Sequence, residues 1–317
     1  MRILFIDSAH PALKKELEKN NFTCHEDFLS SKEEIEKKIS SYNGIILRSR
    51  FNIDKKFIDC FLSPESVNKF IARVGAGMEH IDVTYAESKN IKCINSSEGN
   101  SNAVAEHALG MLLTLFNNIC KANTEVKDGK WLREPNRGIE LEGKIIGIYG
   151  YGNTGSAFAK KLKGLDVKVL AFDKYKQGFG SNFVKQSSPE EIAEQADILS
   201  LHLPLTNETN CLVNDTFITA FRKNIYLINT SRGPIVKTDA LVKNMRSGKV
   251  LGACLDVIEY EESSFELIQA EVGNTKPEAL QYLLNNNKVI FTPHIAGWSF
   301  ESSEKMAKIL AKKICSI

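Results

Sequence analysis

Nothing in the 317 residues advertises a charged partner, because 41 Lys plus Arg stand against 39 Asp plus Glu and leave a net charge of +2. That balance excludes the one-sided field with which chains bind nucleic acid or anionic membranes, so neither is expected as a partner. A C-x-x-C pair is also missing. The seven cysteines (Cys24, Cys60, Cys93, Cys120, Cys211, Cys254 and Cys315) are odd in number and widely spaced. This argues against a disulfide framework and against a zinc site, so no metal is expected. They read as small apolar residues in a reducing compartment. No apolar run approaches the length of a membrane span, and the opening MRILFIDS is too short for a signal peptide, so the expected location is cytoplasmic. Repeats, low-complexity tracts and Pro-rich linkers are absent as well.

What is present is an ordinary globular composition, 43% hydrophobic, in a chain long enough for about two domains. Nine short apolar runs recur, each followed by a longer helical pattern: RILFID (2–7), GIILRS (44–49), KFIARV (69–74), KIIGIYG (144–150), VKVLAFD (167–173), DILSLHLP (197–204), NIYLINT (224–230), GACLDV (252–257) and KVIFTP (288–293). Continuous apolar runs alternating with helices predict parallel strands covered on both faces, an α/β doubly wound class. The segment 100–126 separates the runs into two sets, and its first half is apolar nearly all round. That predicts a helix buried between domains or subunits.

GYGNTGSAFAKKL places Gly150, Gly152 and Gly155 directly after one run and directly before a helical pattern. A bare G-x-G-x-x-G is weak evidence. In this context the first glycine permits the tight turn, the second lets the backbone approach a pyrophosphate, and the third allows close packing of helix on strand. Asp173 ends the next run, 18 residues beyond Gly155. A carboxylate there can bond the ribose hydroxyls of an adenosine and repels a 2′-phosphate, which favours NAD over NADP, although Lys174 and Lys176 stand nearby.

Ligands of such sheets bind beyond the carboxyl ends of the strands. Pro204, Arg232, Asp256, Glu261 and His294 all follow runs of that kind. Singly, each arginine, carboxylate or histidine reads as a solvated loop residue. Together, Arg232, Glu261 and His294 meet the needs of hydride transfer to a 2-keto acid. The guanidinium holds a substrate carboxylate, the imidazole gives and takes the carbonyl proton, and the carboxylate beside it supports the imidazolium. The redox chemistry itself belongs to the nicotinamide.

GYGNTG, Asp173, LHLPLT, NTSRGPIV, GACLDVIEYE and TPHIAG, in that order, resemble the D-2-hydroxyacid dehydrogenases, and the likeness runs through nearly the whole chain. ARVGAGMEHID (72–82) is similar to that family's glycine loop, which binds substrate carboxylate through backbone N–H groups, here Gly75, Ala76 and Gly77. EGNSNAVAEHALGMLL (98–113) resembles its hinge segment. The resemblance implies two doubly wound parallel-sheet domains: a Rossmann NAD-binding domain (101–296) inserted into a flavodoxin-like substrate domain (1–100 and 297–317), with the active site in the cleft between them. It implies catalytic roles for Arg232, Glu261 and His294. Cofactor contacts are implied at Asn153 and Thr154 of the glycine loop, and at Asp173, Pro204, Thr230, Ser231, Asp256, Ala296 and Gly297. A homodimer through the apolar segment 101–118 is expected.

The choice among substrates is open in the sequence. Arg48, Arg50, Arg73 and Arg133 resemble the anion-binding arginines of the phosphoglycerate-oxidising branch, where a phosphate beside a carboxylate needs added positive charge. Arg48 and Arg73 serve equally well as residues that close strand ends. Glyoxylate, hydroxypyruvate and branched 2-keto acids are the alternative substrates, and a non-catalytic NAD-sensing protein is an alternative of another class. The chain ends 23 residues after His294, so no regulatory C-terminal domain is expected. Two departures from the family pattern stand out. Glu261 is followed by Glu262 and two serines rather than proline, which makes Glu259 and Glu262 rival carboxylates, and Thr154 replaces a residue that is usually aliphatic.

Overall fold

Twelve strands, all pairing in parallel, build two separate sheets in the computed structural model, which describes residues 1–62, 68–261 and 277–317. The chain divides into two compact units, one of Met1–Ser101 with Trp298–Ile317 and the other of Asn102–Gly297. Parallel strands need crossover connections, and helices supply them between successive strands except from β7 to β8, whose connection at 173–183 holds no helix.

In the first unit, β1 (Arg2–Phe5), β2 (Thr23–Glu26), β3 (Gly44–Leu47), β4 (Phe70–Arg73) and β5 (Lys92–Ile94) form a sheet of order β2-β1-β3-β4-β5. Successive residues of a strand face opposite sides. Leu4, Ile45, Leu47 and Ile71 therefore join one core with Phe57 and Phe61. Ile3, Phe5, Ile46, Phe70 and Ala72 join another with Leu13, Leu17 and the last helix, Phe300–Cys315. Two covered faces explain why these strands are unbroken apolar runs rather than alternating ones.

The second unit adds β6 (Ile145–Tyr149), β7 (Lys168–Phe172), β8 (Val184–Gln186), β9 (Ile198–Leu201), β10 (Ile225–Asn229), β11 (Val250–Leu255) and β12 (Val289–Phe291), in the order β12-β11-β10-β9-β6-β7-β8. The strand order reverses beside β6, the first strand of this unit, which puts the crevice of a doubly wound sheet at the carboxyl ends of β6 and β9. Tyr149, Leu199, Leu201, Leu227 and Leu255 face one core, while Ile146, Ile148, Val169, Ile228 and Cys254 face the other.

The apolar segment after residue 100 forms the helix Ser101–Phe116, which meets the helix Ile119–Lys127 at a 59° bend. Ala105, Ala108, Met111, Leu112, Leu115 and Phe116 pack into the second of those cores. The helix thus covers its own sheet, and its apolar surface is used there. The next helix has no buried residue, and Ile119, Val126, Trp131, Leu132 and Ile139 are exposed around it. Among the described residues no single helix is long and apolar enough to cross a membrane, and no cluster of His, Cys, Asp or Glu could hold a metal ion.

Candidate active site

The loop after β6 is shaped by contacts that only glycine allows. Gly150 has φ +91°, and a Cβ on it would lie 2.2 Å from the His202 carbonyl oxygen. One on Gly155 would lie 1.9 Å from the Gly150 oxygen. Gly152, by contrast, has nothing within 4 Å of its Cβ position, leaving open space where the helix Asn153–Lys161 begins. Asp173, just past β7, ties this loop to its neighbour: Oδ2 accepts the Tyr151 N–H at 2.8 Å, and Oδ1 accepts those of Tyr175 at 3.0 Å and Lys176 at 2.9 Å. The two lysines beside it are also engaged, Lys174 with Glu208 at 2.7 Å and Lys176 with the Tyr151 carbonyl at 3.3 Å.

Beyond β9, His202 is buried against Ser200 Oγ at 2.9 Å, and burial pushes its imidazole down to about 3, so it is neutral. Beyond β10, Ser231 Oγ donates to the Leu201 carbonyl at 2.6 Å and accepts the Leu203 N–H at 3.1 Å, which fixes the approach to exposed Pro204. Thr230 Oγ1 is buried without a hydrogen-bond partner among the described residues. Arg232 follows, with Nη1 donating to the Ser231 carbonyl at 2.6 Å. Gly233 lets this turn sit against the next loop, since a Cβ there would be 2.0 Å from the Ile258 oxygen.

That neighbouring loop carries Glu261. Its Oε1 lies 2.5 Å from His294 Nδ1, with both side chains largely buried. The rival Glu259 is used elsewhere, for its Oε2 accepts the Thr238 N–H at 2.8 Å and caps a helix. Glu262 lies outside the described residues. His294 has φ +53°, a left-handed conformation that costs a non-glycine residue ~1–2 kcal/mol. Asp256 supplies the counterweight. Only 2% exposed, it accepts the N–H groups of Ile295 on Oδ1 and of Ala296 on Oδ2, each at 2.9 Å, and the Thr292 hydroxyl at 2.6 Å.

The first unit has its own glycine loop, after β4. Arg73 is buried, its Nε donating to the Arg48 carbonyl at 2.9 Å and its Nη1 to the Gly77 carbonyl. Asn95 Nδ2 holds the Ala76 carbonyl at 2.9 Å, and Ser96 Oγ accepts the Gly75 N–H at 3.2 Å. Arg50 likewise donates to the carbonyls of Ile6, Asp27 and Ser30 at 3.0, 3.0 and 2.6 Å. Arg48 is different. Its guanidinium stacks over the Trp298 ring at 4.4 Å and has no ion pair or side-chain hydrogen bond among the described residues. Arg133 is exposed.

Residues 109–296 match the family described as D-isomer specific 2-hydroxyacid dehydrogenase, NAD binding domain. The chain belongs to the D-2-hydroxyacid dehydrogenases. Within this family it is 32% identical to a D-3-phosphoglycerate dehydrogenase of Archaeoglobus fulgidus over 90% of the chain and 51% of that relative. It is 31% identical to a hydroxypyruvate reductase of Thermotoga maritima, over 89% of the chain and 87% of the relative. A D-lactate dehydrogenase of Treponema pallidum superimposes with a TM-score of 0.75 at 26% identity, covering 100% of this chain and 96% of the other. The chain spans about half the length of the phosphoglycerate dehydrogenases that it matches.

The second unit of this family member is an NAD-binding domain, and its residues fit that coenzyme. The open Gly152 position admits a pyrophosphate to the helix N-terminus, the Asp173 carboxylate stands at the end of β7, and the buried Thr230 hydroxyl, at the carboxyl edge of the same sheet, lacks a partner among the described residues. Sequence reasoning missed His107, Thr292, Asn95 and Ser96. Only His107 carried a signal, as the sole ionisable group on the apolar side of the helix Ser101–Phe116.

Proposed function

We propose that the chain is an NAD-dependent dehydrogenase of D-2-hydroxy acids in which His294 is the acid–base, Glu261 its support and Arg232 the binder of substrate carboxylate. The observation that carries this reading is the 2.5 Å contact between His294 Nδ1 and Glu261 Oε1 at the carboxyl edge of the sheet that also bears Arg232. Bound NAD supplies the hydride acceptor in one direction and, reduced, the donor in the other. With Nδ1 committed to Glu261, Nε2 of His294 is the atom that takes the hydroxyl proton of the hydroxy acid, or returns it to the keto oxygen. Arg232 pairs bidentately with the carboxylate and so orients C2, while Asp256 holds the turn on which His294 stands. Gly150, Gly152, Asn153, Thr154, Gly155, Asp173, Pro204, Thr230, Ser231, Ala296 and Gly297 are the residues assigned to the coenzyme.

The favoured substrate pair is 3-phosphoglycerate and phosphohydroxypyruvate, with Arg48 as the guanidinium assigned to phosphate and Ala76 and Gly77 offering N–H groups to the carboxylate. A second reading, reduction of hydroxypyruvate or glyoxylate, is favoured by the commitment of Arg50 and Arg73 to backbone carbonyls. A homodimer belongs to the proposal too. The helix Ser101–Phe116 is used by its own core, so the pairing surface is assigned instead to exposed Ile119, Val126, Trp131 and Leu132; a monomer by light scattering contradicts it.

The test is a steady-state assay that follows NADH absorbance over a panel of 2-keto acids, for wild type and His294→Ala. The variant is expected to lose ~10² or more in kcat with little change in NADH affinity. An unchanged kcat removes the histidine from the chemistry. If phosphohydroxypyruvate is reduced no faster than glyoxylate, the phosphate assignment goes and the second reading stands.

A further inference from the structure

The turn that carries His294 is fastened at every amide. The His294 N–H reaches the carbonyl oxygens of Asp256 at 2.8 Å and Thr292 at 3.1 Å, and the next two N–H groups go to the Asp256 carboxylate. The carboxylate is fastened in turn. Thr292 Oγ1 lies 2.6 Å from Asp256 Oδ1 and 2.9 Å from His107 Nε2, which itself stands 3.7 Å from that Oδ1.

The direction of these bonds follows from counting protons. A hydroxyl has one proton to give, and a carboxylate that already receives two backbone N–H groups acts as an acceptor. The 2.6 Å contact therefore takes the proton of Thr292. Thr292 Oγ1 can then only accept from His107, which fixes a proton on His107 Nε2. Met111 Sδ, 3.7 Å from the same hydroxyl, is a weak acceptor and too distant to compete. The order of donation runs from His107 Nε2–H to Thr292 Oγ1 and from Thr292 O–H to Asp256 Oδ1, where it meets the Ile295 N–H.

We propose that His107 and Thr292 are positioning residues for His294. Anchored on the helix Ser101–Phe116, this donor chain holds the Asp256 carboxylate, which keeps residues 294–296 in a turn, left-handed at His294, that aims the imidazole. Remove the imidazole and Thr292 loses the donor that sets its hydroxyl. The threonine side chain is then free to turn its hydroxyl away, and Asp256 is left one donor short. The proposal rests on the reading of His294 as the acid–base and adds two residues to it.

The experiment compares His107→Leu and Thr292→Val, which break the chain, with His107→Gln and Thr292→Ser, which keep a donor and a hydroxyl in place. The breaking variants are expected to lower kcat ~10-fold with NADH affinity held within ~2-fold, and to speed hydrogen exchange at the Ile295 and Ala296 amides by ~10-fold. The conservative variants are expected to stay within ~3-fold of wild type in both readouts, and the double variant His107→Leu/Thr292→Val to lose no more than either single one. Wild-type exchange rates in Thr292→Val overturn the proposal, as does a His107→Gln protein no better than His107→Leu, which assigns the imidazole to packing. Faster exchange with an unchanged kcat overturns the positioning role when His294→Ala does lose kcat; when His294→Ala keeps its kcat as well, it is the acid–base reading that falls. Should His107→Leu fail to fold, the threonine pair and His107→Gln decide the matter.

Discussion

The two glycine loops, one after β4 and one after β6, solve the same problem by opposite means. Each must expose backbone at the end of a buried strand. In the first unit the loop at Gly75–Gly77 is held by added side chains: buried Arg73 on two carbonyls, Asn95 on a third and Ser96 on an amide. In the second, the loop at Gly150–Gly155 is held by subtraction, with backbone resting on backbone where no Cβ fits. The difference teaches where each loop is vulnerable. One fails when a cation is withdrawn, the other when a single methyl group is added.

The largest effect is expected from Gly155→Ala, whose methyl group must displace the Gly150 carbonyl. Overpacking of this kind costs ~3 kcal/mol, a fall of about 6–12 °C in Tm for a unit this size, and NADH fluorescence titration should show binding lost. Gly152→Ala is the control, expected to melt as wild type does while weakening NADH, because its Cβ position is empty. Equal melting temperatures for the two variants break the comparison.

Arg73→Met comes next, at about 2 kcal/mol, since it strands buried carbonyls that a charged donor had satisfied. KM should rise by one common factor for glyoxylate and phosphohydroxypyruvate, because the guanidinium braces the loop. A rise confined to the phosphorylated acid moves Arg73 from brace to ligand.

The smallest effect, taken per pH unit, is that of pH. The carbonyl of His202 is the group that excludes a Cβ at Gly150, and its buried imidazole titrates at about 3 in the folded protein against 6.5 unfolded. The unfolded chain therefore binds the extra proton first. Stability is complete above pH 6.5 and falls by ~1.4 kcal/mol per unit as the pH drops from there toward 3. Urea titrations from pH 7 to 5 on wild type and His202→Leu check this, and parallel slopes sink it.

The same contrast governs what could be read in advance. A backbone contact leaves a glycine in the sequence, and the loop after β6 was legible for that reason. A brace leaves only an arginine: Arg73 and Arg48 carry one charge each, yet the first is buried on carbonyls and the second stacks on an indole. Spacing could not separate Glu259 from Glu261, because helix capping by Glu259 is a tertiary matter. The link from His107 to Thr292 spans 185 residues and has no local trace. Of the strands, nine were visible as apolar runs. The other three, β2, β5 and β8, all lie at sheet edges, are short, and bury too few residues to form a run.

The helix Phe300–Cys315 places Met306, Ala307, Leu310, Ala311 and Ile314 in the core that holds Ile3 and Phe5, and the backbone of Met306 stands 2.6 Å from the Cβ position of Gly99. During synthesis β1 therefore waits for a helix made long after it, while the unit encoded between them already has all its pieces. Synthesis and folding run in different orders in this molecule. One face of the first unit's sheet stays partly uncovered until that helix emerges, and it is there that a nascent chain needs shelter.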